Sequence, residues 1–205
     1  MWALVEDGSI TKIINNPKGM VIGDTQYSRN IFSFRWTNAE REAIGLYEIV
    51  WDNSKKKDEE YYTNTNQTFT YDADAGTVTA TYGDATAKPH ADTLFTAQDE
   101  IDGKGTEGEV AVEGLITVRI RTVKQQAAGI LQDTDWYVVR KADAGTAVPS
   151  AITTHRAAVR TKCAQMETAI TNAADTPAIE TLYTYTKQED GSVTRPLGEF
   201  PVLEV

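Results

Sequence analysis

Residues 96–114 have the sequence TAQDEIDGKGTEGEVAVEG, which contains one lysine, six acidic residues and four glycines. Low hydrophobicity, high net charge and dense glycine are typical of a linker or a long exposed loop. The chain has 205 residues and a formal net charge of −10, so this stretch holds half of the excess negative charge. We therefore predict one domain over 1–95, a linker or loop over 96–114 and a second domain over 115–205.

The composition excludes several classes of protein. A pI near 4.7 argues against nucleic-acid binding, because recognition of the phosphate backbone needs a basic face. No apolar run approaches the roughly 20 residues that span a bilayer, so no membrane association is expected. The single cysteine, Cys163, cannot form an internal disulfide, and its place on an apolar helix face predicts that it is buried.

Towards the N-terminus, the pattern of residues predicts strands. Two strand-like segments, WALVE at 2–6 and SITKII at 9–14, flank Asp7-Gly8. This dipeptide favours a two-residue type I′ turn, because both turn positions have positive φ. Further strands are predicted at 30–36, 47–51, 68–71 and 77–82.

One short helix is expected within this strand-rich half. Thr37-Asn-Ala-Glu40 matches a capping box, in which each side chain bonds the backbone amide of the other residue. The helix is predicted to run from Asn38 to Ile44 and to end at Gly45. The N-terminal half is thus predicted to be a small, mostly antiparallel β domain with one short helix.

Towards the C-terminus, the apolar residues recur at helical spacing. Steps of three and four residues connect positions 112, 116, 120, 123, 127, 130 and 131, which predicts a long helix. Three more helices are predicted at 135–142, from 150 onwards and at 176–183, with caps or prolines at their starts. The chain is therefore predicted to be an α+β protein whose C-terminal half is a small helical bundle with an extended tail.

Two patterns in the acidic stretch imitate ligand sites. Gly103-Lys-Gly105-Thr-Glu-Gly108 matches the dinucleotide pattern G-x-G-x-x-G, but its acidic setting would repel a phosphate. A partial calcium loop would use the side chains of Gln98, Glu100, Asp102 and Glu109, with glutamine in place of the aspartate expected first. Elsewhere, His90, His155 and Cys163 lack zinc-binding spacing. We expect no catalytic residue, no cofactor and no bound metal.

Aromatic residues are dense in the predicted β domain. Core packing is the expected role of most of them, but some are expected to lie in a protein interface, where Tyr and Trp concentrate. The candidates for partner binding are Trp36, Trp51, Tyr61 and Tyr62.

A resemblance to a known family lies in the C-terminal half. Residues 126–140 have the sequence QAAGILQDTDWYVVR and are followed by TAVP at 146–149, HRAAVR at 155–160 and RPLGEFP at 195–201. These segments resemble phage tail assembly chaperone-like proteins, in which L-x-x-T-D-W-x-V-x-R precedes a Pro-initiated helix carrying Y/H-R-x-x-[VL]-R. The resemblance covers roughly residues 120–170, while WALVE at 2–6 and GLYEIV at 45–50 are similar to small proteins encoded near tail genes in marine phages.

The segment around residue 136 also has a physical interpretation. Asp133 or Thr134 is expected to cap a helix whose Trp136 is wedged against the long helix. Arg156 and Arg160, one turn apart, are expected to reach Asp135 or carbonyl groups at neighbouring helix ends. The predicted structural motif consists of Asp135, Trp136, Arg140, Arg156 and Arg160.

The resemblance implies a non-enzymatic protein of a tailed bacteriophage. Its partners would be tail, baseplate or tail-fibre proteins, without nucleic acid or membrane, and self-association into a homo-oligomer is left open. Such a protein is expected in the host cytoplasm during assembly and afterwards in the virion, as a structural component of the tail.

Three alternatives remain at this point. A transient assembly chaperone, absent from the virion, belongs to the same class. A small hydrolase with a carboxylate pair would instead place carboxyl groups of raised pKa in a deep pocket. A calcium-organised binding module would use residues 98–109.

Overall fold

The chain divides into two compact units, Met1–Thr86 and Ala87–Val205, in a computed structural model that describes residues 1–65 and 67–203. The five-stranded sheet lies in the first unit and the long helices lie in the second. The predicted α+β class is confirmed.

The first unit is built mainly from short strands. Its elements are β1 (Trp2–Glu6), β2 (Ser9–Ile14), β3 (Met20–Ile22), β4 (Thr25–Tyr27), a 3-10 helix (Arg29–Phe32), α1 (Asn38–Glu42), β5 (Leu46–Asp52), β6 (Tyr62–Thr63), β7 (Thr68–Asp72) and β8 (Thr77–Thr81). A further two-residue strand, β9 (Thr86–Ala87), lies where the two units meet along the chain.

The main sheet has the strand order β2-β1-β5-β8-β7. Its neighbouring strands are antiparallel except β5 and β8, which run parallel and pair Ile49 with Val78. A parallel pair needs a long connection between its strands, and residues 53–76 provide one. The arrangement is therefore mostly antiparallel, as predicted, with one parallel junction.

Two turns in this unit depend on positive φ angles. Asp7 and Gly8, with φ of 51° and 73°, form the predicted type I′ turn between β1 and β2. Gly45 has φ of 75°, and a Cβ atom there would lie 2.3 Å from the carbonyl oxygen of Val5. Only glycine fits this close approach between the end of α1 and strand β1.

Both faces of the sheet are covered by apolar side chains. Ala3, Val5 and Ile49 lie in one core cluster. Trp2 and Leu46 lie in the other, which the connecting segment completes with residues such as Ile31. Strand β1 is consequently buried on both faces, although successive side chains point in opposite directions.

The strand predicted at 30–36 was wrong. Residues 29–32 form the 3-10 helix, and the Ser28 hydroxyl accepts a hydrogen bond from the Asn30 amide at its start. The 3-10 helix leaves Ile31 only 1% exposed and Phe34 95% exposed. An alternating strand would instead bury Phe34 and expose Ile31. Local hydrogen bonds between the Ser28 and Ser33 hydroxyls and the backbone compete with strand formation here.

The predicted capping box of α1 is confirmed. The Thr37 hydroxyl accepts a hydrogen bond from the Glu40 amide at 3.2 Å, and the Glu40 carboxylate accepts one from the Thr37 amide at 2.7 Å. The Thr37 amide and then the Thr37 hydroxyl, which both donate to the Glu40 carboxylate, hold the pKa of that carboxyl below its usual range.

Replacing Thr37 with alanine should remove one side of this box. We expect Thr37→Ala to lower the free energy of unfolding of the first unit by about 1 kcal/mol, as typical for loss of an N-cap. Urea unfolding followed by tryptophan fluorescence measures the change. Thr37→Ser keeps the hydroxyl and is the control; equal losses in both variants would contradict the capping role.

The second unit begins with a hairpin and continues as helices. Its elements are β10 (Thr93–Leu94), α2 (Ala97–Ile101), β11 (Val110–Val112), α3 (Leu115–Gln132), α4 (Asp135–Ala144), α5 (Ser150–Thr171), α6 (Thr176–Tyr183), β12 (Thr186–Lys187) and β13 (Val193–Thr194). Residues 204 and 205, at the end of the predicted tail, lie outside the described residues.

The core of the second unit lies mainly between α3 and α5. The cluster contains Val123, Val159, Met166 and Ile170, each at most 1% exposed. Their spacing follows the helical periodicity, so the prediction of two amphipathic helices here is confirmed. Cys163 belongs to the same cluster, and burial is the main cause that raises the pKa of its thiol.

The structure divides the chain at 86/87 rather than within 96–114. The acidic stretch belongs to the second unit, where β11 pairs with β10 and a capping box formed by Thr96 and Asp99 starts α2. It is largely exposed, as expected of its composition, but it has regular structure. Composition alone does not reveal a capping box or a strand pairing, so the linker prediction missed both.

Candidate functional site

The segment that carries the family resemblance forms the joint between α3 and α4. Arg156 of α5, 8% exposed, donates hydrogen bonds to the Leu131 carbonyl and to the Thr134 hydroxyl, each at 2.7 Å. Its other terminal nitrogen lies 2.8 Å from Asp135 Oδ1. The predicted contact of Arg156 with Asp135 and a helix-end carbonyl is observed, so three helices meet at one guanidinium.

Thr134 was predicted as a helix cap, but its hydroxyl is used differently. It donates to the Leu131 carbonyl at 3.0 Å and accepts from Arg156, without a capping bond to α4. Arg160, one turn further along α5, is exposed. The two arginines of the predicted pair therefore differ in role, because only position 156 faces the joint.

Helix α4 projects its apolar side chains into solvent. None of its residues, all of which the structure describes, is buried. Trp136 is 51% exposed and Val139 is 64% exposed, and they lie one turn apart on one face. The prediction that Trp136 wedges against the long helix was wrong, because its ring is half exposed and its aromatic and cation–π contacts lie on α4 itself.

Trp136 instead packs against its neighbours on α4. Its ring centroid lies 3.9 Å from that of Tyr137, and the Arg140 guanidinium carbon lies 4.6 Å from the centroid of Trp136 and 5.4 Å from that of Tyr137. Cation–π contacts of this kind restrain both partners. The buried Nε of Arg140 has no hydrogen-bond partner among the described residues. The result is a compact aromatic–arginine group on an exposed helix.

The four aromatic residues proposed for partner binding have different environments. Tyr61 and Tyr62 are each 3% exposed, so the structure does not present them to a partner. Trp36 is half-buried in a core cluster and meets Tyr27 edge to face at 5.9 Å. Trp51 is 37% exposed. Phe34, which was not among these candidates, is 95% exposed.

In the acidic stretch, side chains of the partial calcium loop make hydrogen bonds within the chain. Gln98 donates to Asp102 at 2.8 Å, and Glu100 accepts from the Glu107 amide at 3.0 Å. Hydrogen bonds from the Thr96 hydroxyl, then from the Thr96 amide and Lys104, lower the pKa of Asp99 to about 2. Within the described residues, no group of three or more His, Cys, Asp or Glu side chains could hold a metal ion.

The hydrolase alternative requires carboxyl groups of raised pKa. In the part of the chain that the structure describes, every carboxyl group with a resolved pKa shift shifts downward. These groups are Glu40, Asp52, Asp99, Asp102, Glu113 and Asp190. A cavity of about 240 Å³ beside α1 and β5 is lined by Arg41, Glu42 and Glu48 among others. The lowered pKa values of the six carboxyl groups named above are the opposite of what the hydrolase alternative requires.

No protein-family model, curated protein or solved structure matches this chain. No helix in the described part of the chain combines the length and apolar composition needed to cross a membrane.

Proposed function

We propose that this chain is a non-enzymatic protein of a tailed bacteriophage that binds tail, baseplate or tail-fibre polypeptides during assembly. It acts in the host cytoplasm and is then retained in the virion tail as a structural component. The observation that carries the proposal is the exposure of α4. In this helix, which lies in the segment that resembles tail assembly chaperone-like proteins, the apolar side chains of Trp136 and Val139 are exposed to solvent.

The physical basis of binding is a pre-oriented apolar helix face. A Trp and a Val one turn apart are suited to a hydrophobic groove on a partner. Because Arg156 fixes the joint before α4, little conformational entropy is lost when the helix docks. Tryptophan is enriched among the residues that contribute most to protein interfaces, so Trp136 is the expected anchor.

Replacing Trp136 with alanine should weaken partner binding. We expect Trp136→Ala to reduce the affinity for a co-expressed tail or tail-fibre polypeptide of the same phage about tenfold or more, as typical for an anchor residue. Affinity purification followed by titration with the purified partner measures the loss. Tyr185→Ala, which removes an aromatic of similar exposure (53%) in the same unit, is the control. Unchanged binding of the Trp136 variant would exclude α4 as the docking surface.

Mass spectrometry of purified virions distinguishes the two forms of this proposal. Peptides of this chain at a level stoichiometric with other tail proteins support retention in the particle. Their absence from virions, together with tail-protein binding before assembly, would identify the transient chaperone instead.

A further inference from the structure

Among the large apolar side chains that the structure describes, the most exposed is that of Phe34, in a segment that we call the Phe34 loop (residues 28–37). Phe34 is 95% exposed. Covering this aromatic side chain in a complex would remove its apolar surface from water, which favours association.

The Phe34 loop is held rigidly. The Ser33 hydroxyl donates to the Asn30 carbonyl at 2.7 Å. Arg41, only 6% exposed, donates from Nε to the Ile31 carbonyl at 2.8 Å and from a terminal nitrogen to the Ser33 carbonyl. A loop fixed in this way presents Phe34 in one position, which lowers the entropic cost of docking it.

The Phe34 loop is basic, although the chain as a whole is acidic. Residues 25–39 contain Arg29 and Arg35 and no acidic residue, whereas the whole chain has a net charge of −10. Both arginines are exposed. The surface that best fits this loop is therefore apolar at its centre and acidic around it.

The chain itself provides such a surface, the acidic hairpin (residues 93–112). Leu94 of β10 and Val110 of β11 are cross-strand partners, 48% and 47% exposed, so their side chains lie next to each other. The hairpin contains five acidic residues and one lysine. Among the acidic residues, Glu107 and Glu109 are exposed close to Val110 in sequence.

We propose that the Phe34 loop of one copy docks on the acidic hairpin of a second copy, with Phe34 against Leu94 and Val110 and the two arginines facing Glu107 and Glu109. The contact joins two different surfaces of the chain. It either forms twice, reciprocally, in a two-fold dimer or repeats head to tail, which gives rings when the rotation closes and filaments when it does not. The inference is separate from the proposed function, because a chain that binds tail proteins through α4 has no need to self-associate.

Sedimentation equilibrium of the full chain tests the proposal. The weight-average mass should rise with protein concentration at low salt, and the rise should shrink at high salt as the charges are screened. Phe34→Ala should weaken association about tenfold, in the range of an interface anchor.

Charge reversal gives a sharper test. Arg29→Glu with Arg35→Glu should abolish association, and so should Glu107→Lys with Glu109→Lys. An equimolar mixture of these two variants should associate again, because each then finds an oppositely charged partner surface. Far-UV circular dichroism identical to that of the parent chain verifies that each variant is folded.

Several results would overturn the proposal. The first is a weight-average mass that does not depend on protein concentration at low salt. The second is association unchanged by Arg29→Glu with Arg35→Glu, and the third is an equimolar mixture of the two folded charge-reversal variants that stays monomeric. Binding of a monomeric chain through Phe34 to a tail polypeptide, or to anionic phosphatidylglycerol vesicles, would assign the loop to that partner instead.

Discussion

Replacing Arg156 with methionine should destabilise the second unit by about 2 kcal/mol, as expected when hydrogen bonds made by a buried charged group are lost. The methionine keeps the aliphatic packing of the arginine side chain but provides no donor. Three contacts disappear at once: those to the Leu131 carbonyl, the Thr134 hydroxyl and the Asp135 carboxylate.

The expected loss is smaller than the roughly 3–5 kcal/mol typical of breaking a buried ion pair. Leu131 and Thr134 remain hydrogen-bonded to each other, through both the amide and the hydroxyl of Thr134. Asp135, whose side chain is 55% exposed, is rehydrated when its partner is removed. The expected loss of about 2 kcal/mol in the free energy of unfolding comes from the missing charged donor and from the weaker attachment of α4 to α5.

Urea unfolding followed by circular dichroism at 222 nm measures this effect, because the long helices lie in the second unit. Arg160→Met is the matched control: it makes the same substitution one turn along α5 at an exposed position, where we expect a change within about 0.5 kcal/mol. Equal losses in the two variants would mean that the joint between α3, α4 and α5 is not held by Arg156.

Secondary structure could be predicted where its cause is local. The Asp7-Gly8 turn needs positive φ at two adjacent residues, and the α1 capping box joins residues three apart. The periodicity of the apolar residues in α3 and α5 likewise repeats within a few positions. In each case, the residues that determine the conformation are close in sequence.

Exposure could not be predicted in the same way, because it depends on contacts with distant residues. Phe34 alternates as a buried strand residue should, yet Arg41 and Ser33 hold its segment in another conformation. Tyr61 and Tyr62 follow a charged run that is typical of a surface loop, but both are buried. The candidate site on α4 is exposed for a similar reason, since an arginine 20 residues away from Trp136 in the chain directs the helix.

Replacing Arg41 with methionine should have the largest effect of the substitutions considered, about 3 kcal/mol on the first unit. The buried Ile31 carbonyl loses its donor, and burial of an unsatisfied carbonyl costs about 1–3 kcal/mol by itself. The guanidinium also lies 4.8 Å from the centroid of the Trp2 ring, so a cation–π contact in the core is lost as well.

The consequence of the Arg41 substitution extends to the Phe34 loop. Without the hydrogen bonds that Arg41 donates to the Ile31 and Ser33 carbonyls, the loop is expected to lose its single conformation. The Arg41 variant should therefore also self-associate less than the parent chain in buffer without urea, where it is still folded. Tryptophan fluorescence during urea unfolding measures the stability, since Trp2 lies beside the guanidinium. Arg35→Met, the same substitution at an exposed position, is the control for stability and should leave the free energy of unfolding within about 0.5 kcal/mol. An Arg41 variant as stable as this control would contradict the prediction. It would show that the Ser33 hydroxyl and the backbone hydrogen bonds of the loop hold Phe34 in place without the buried arginine.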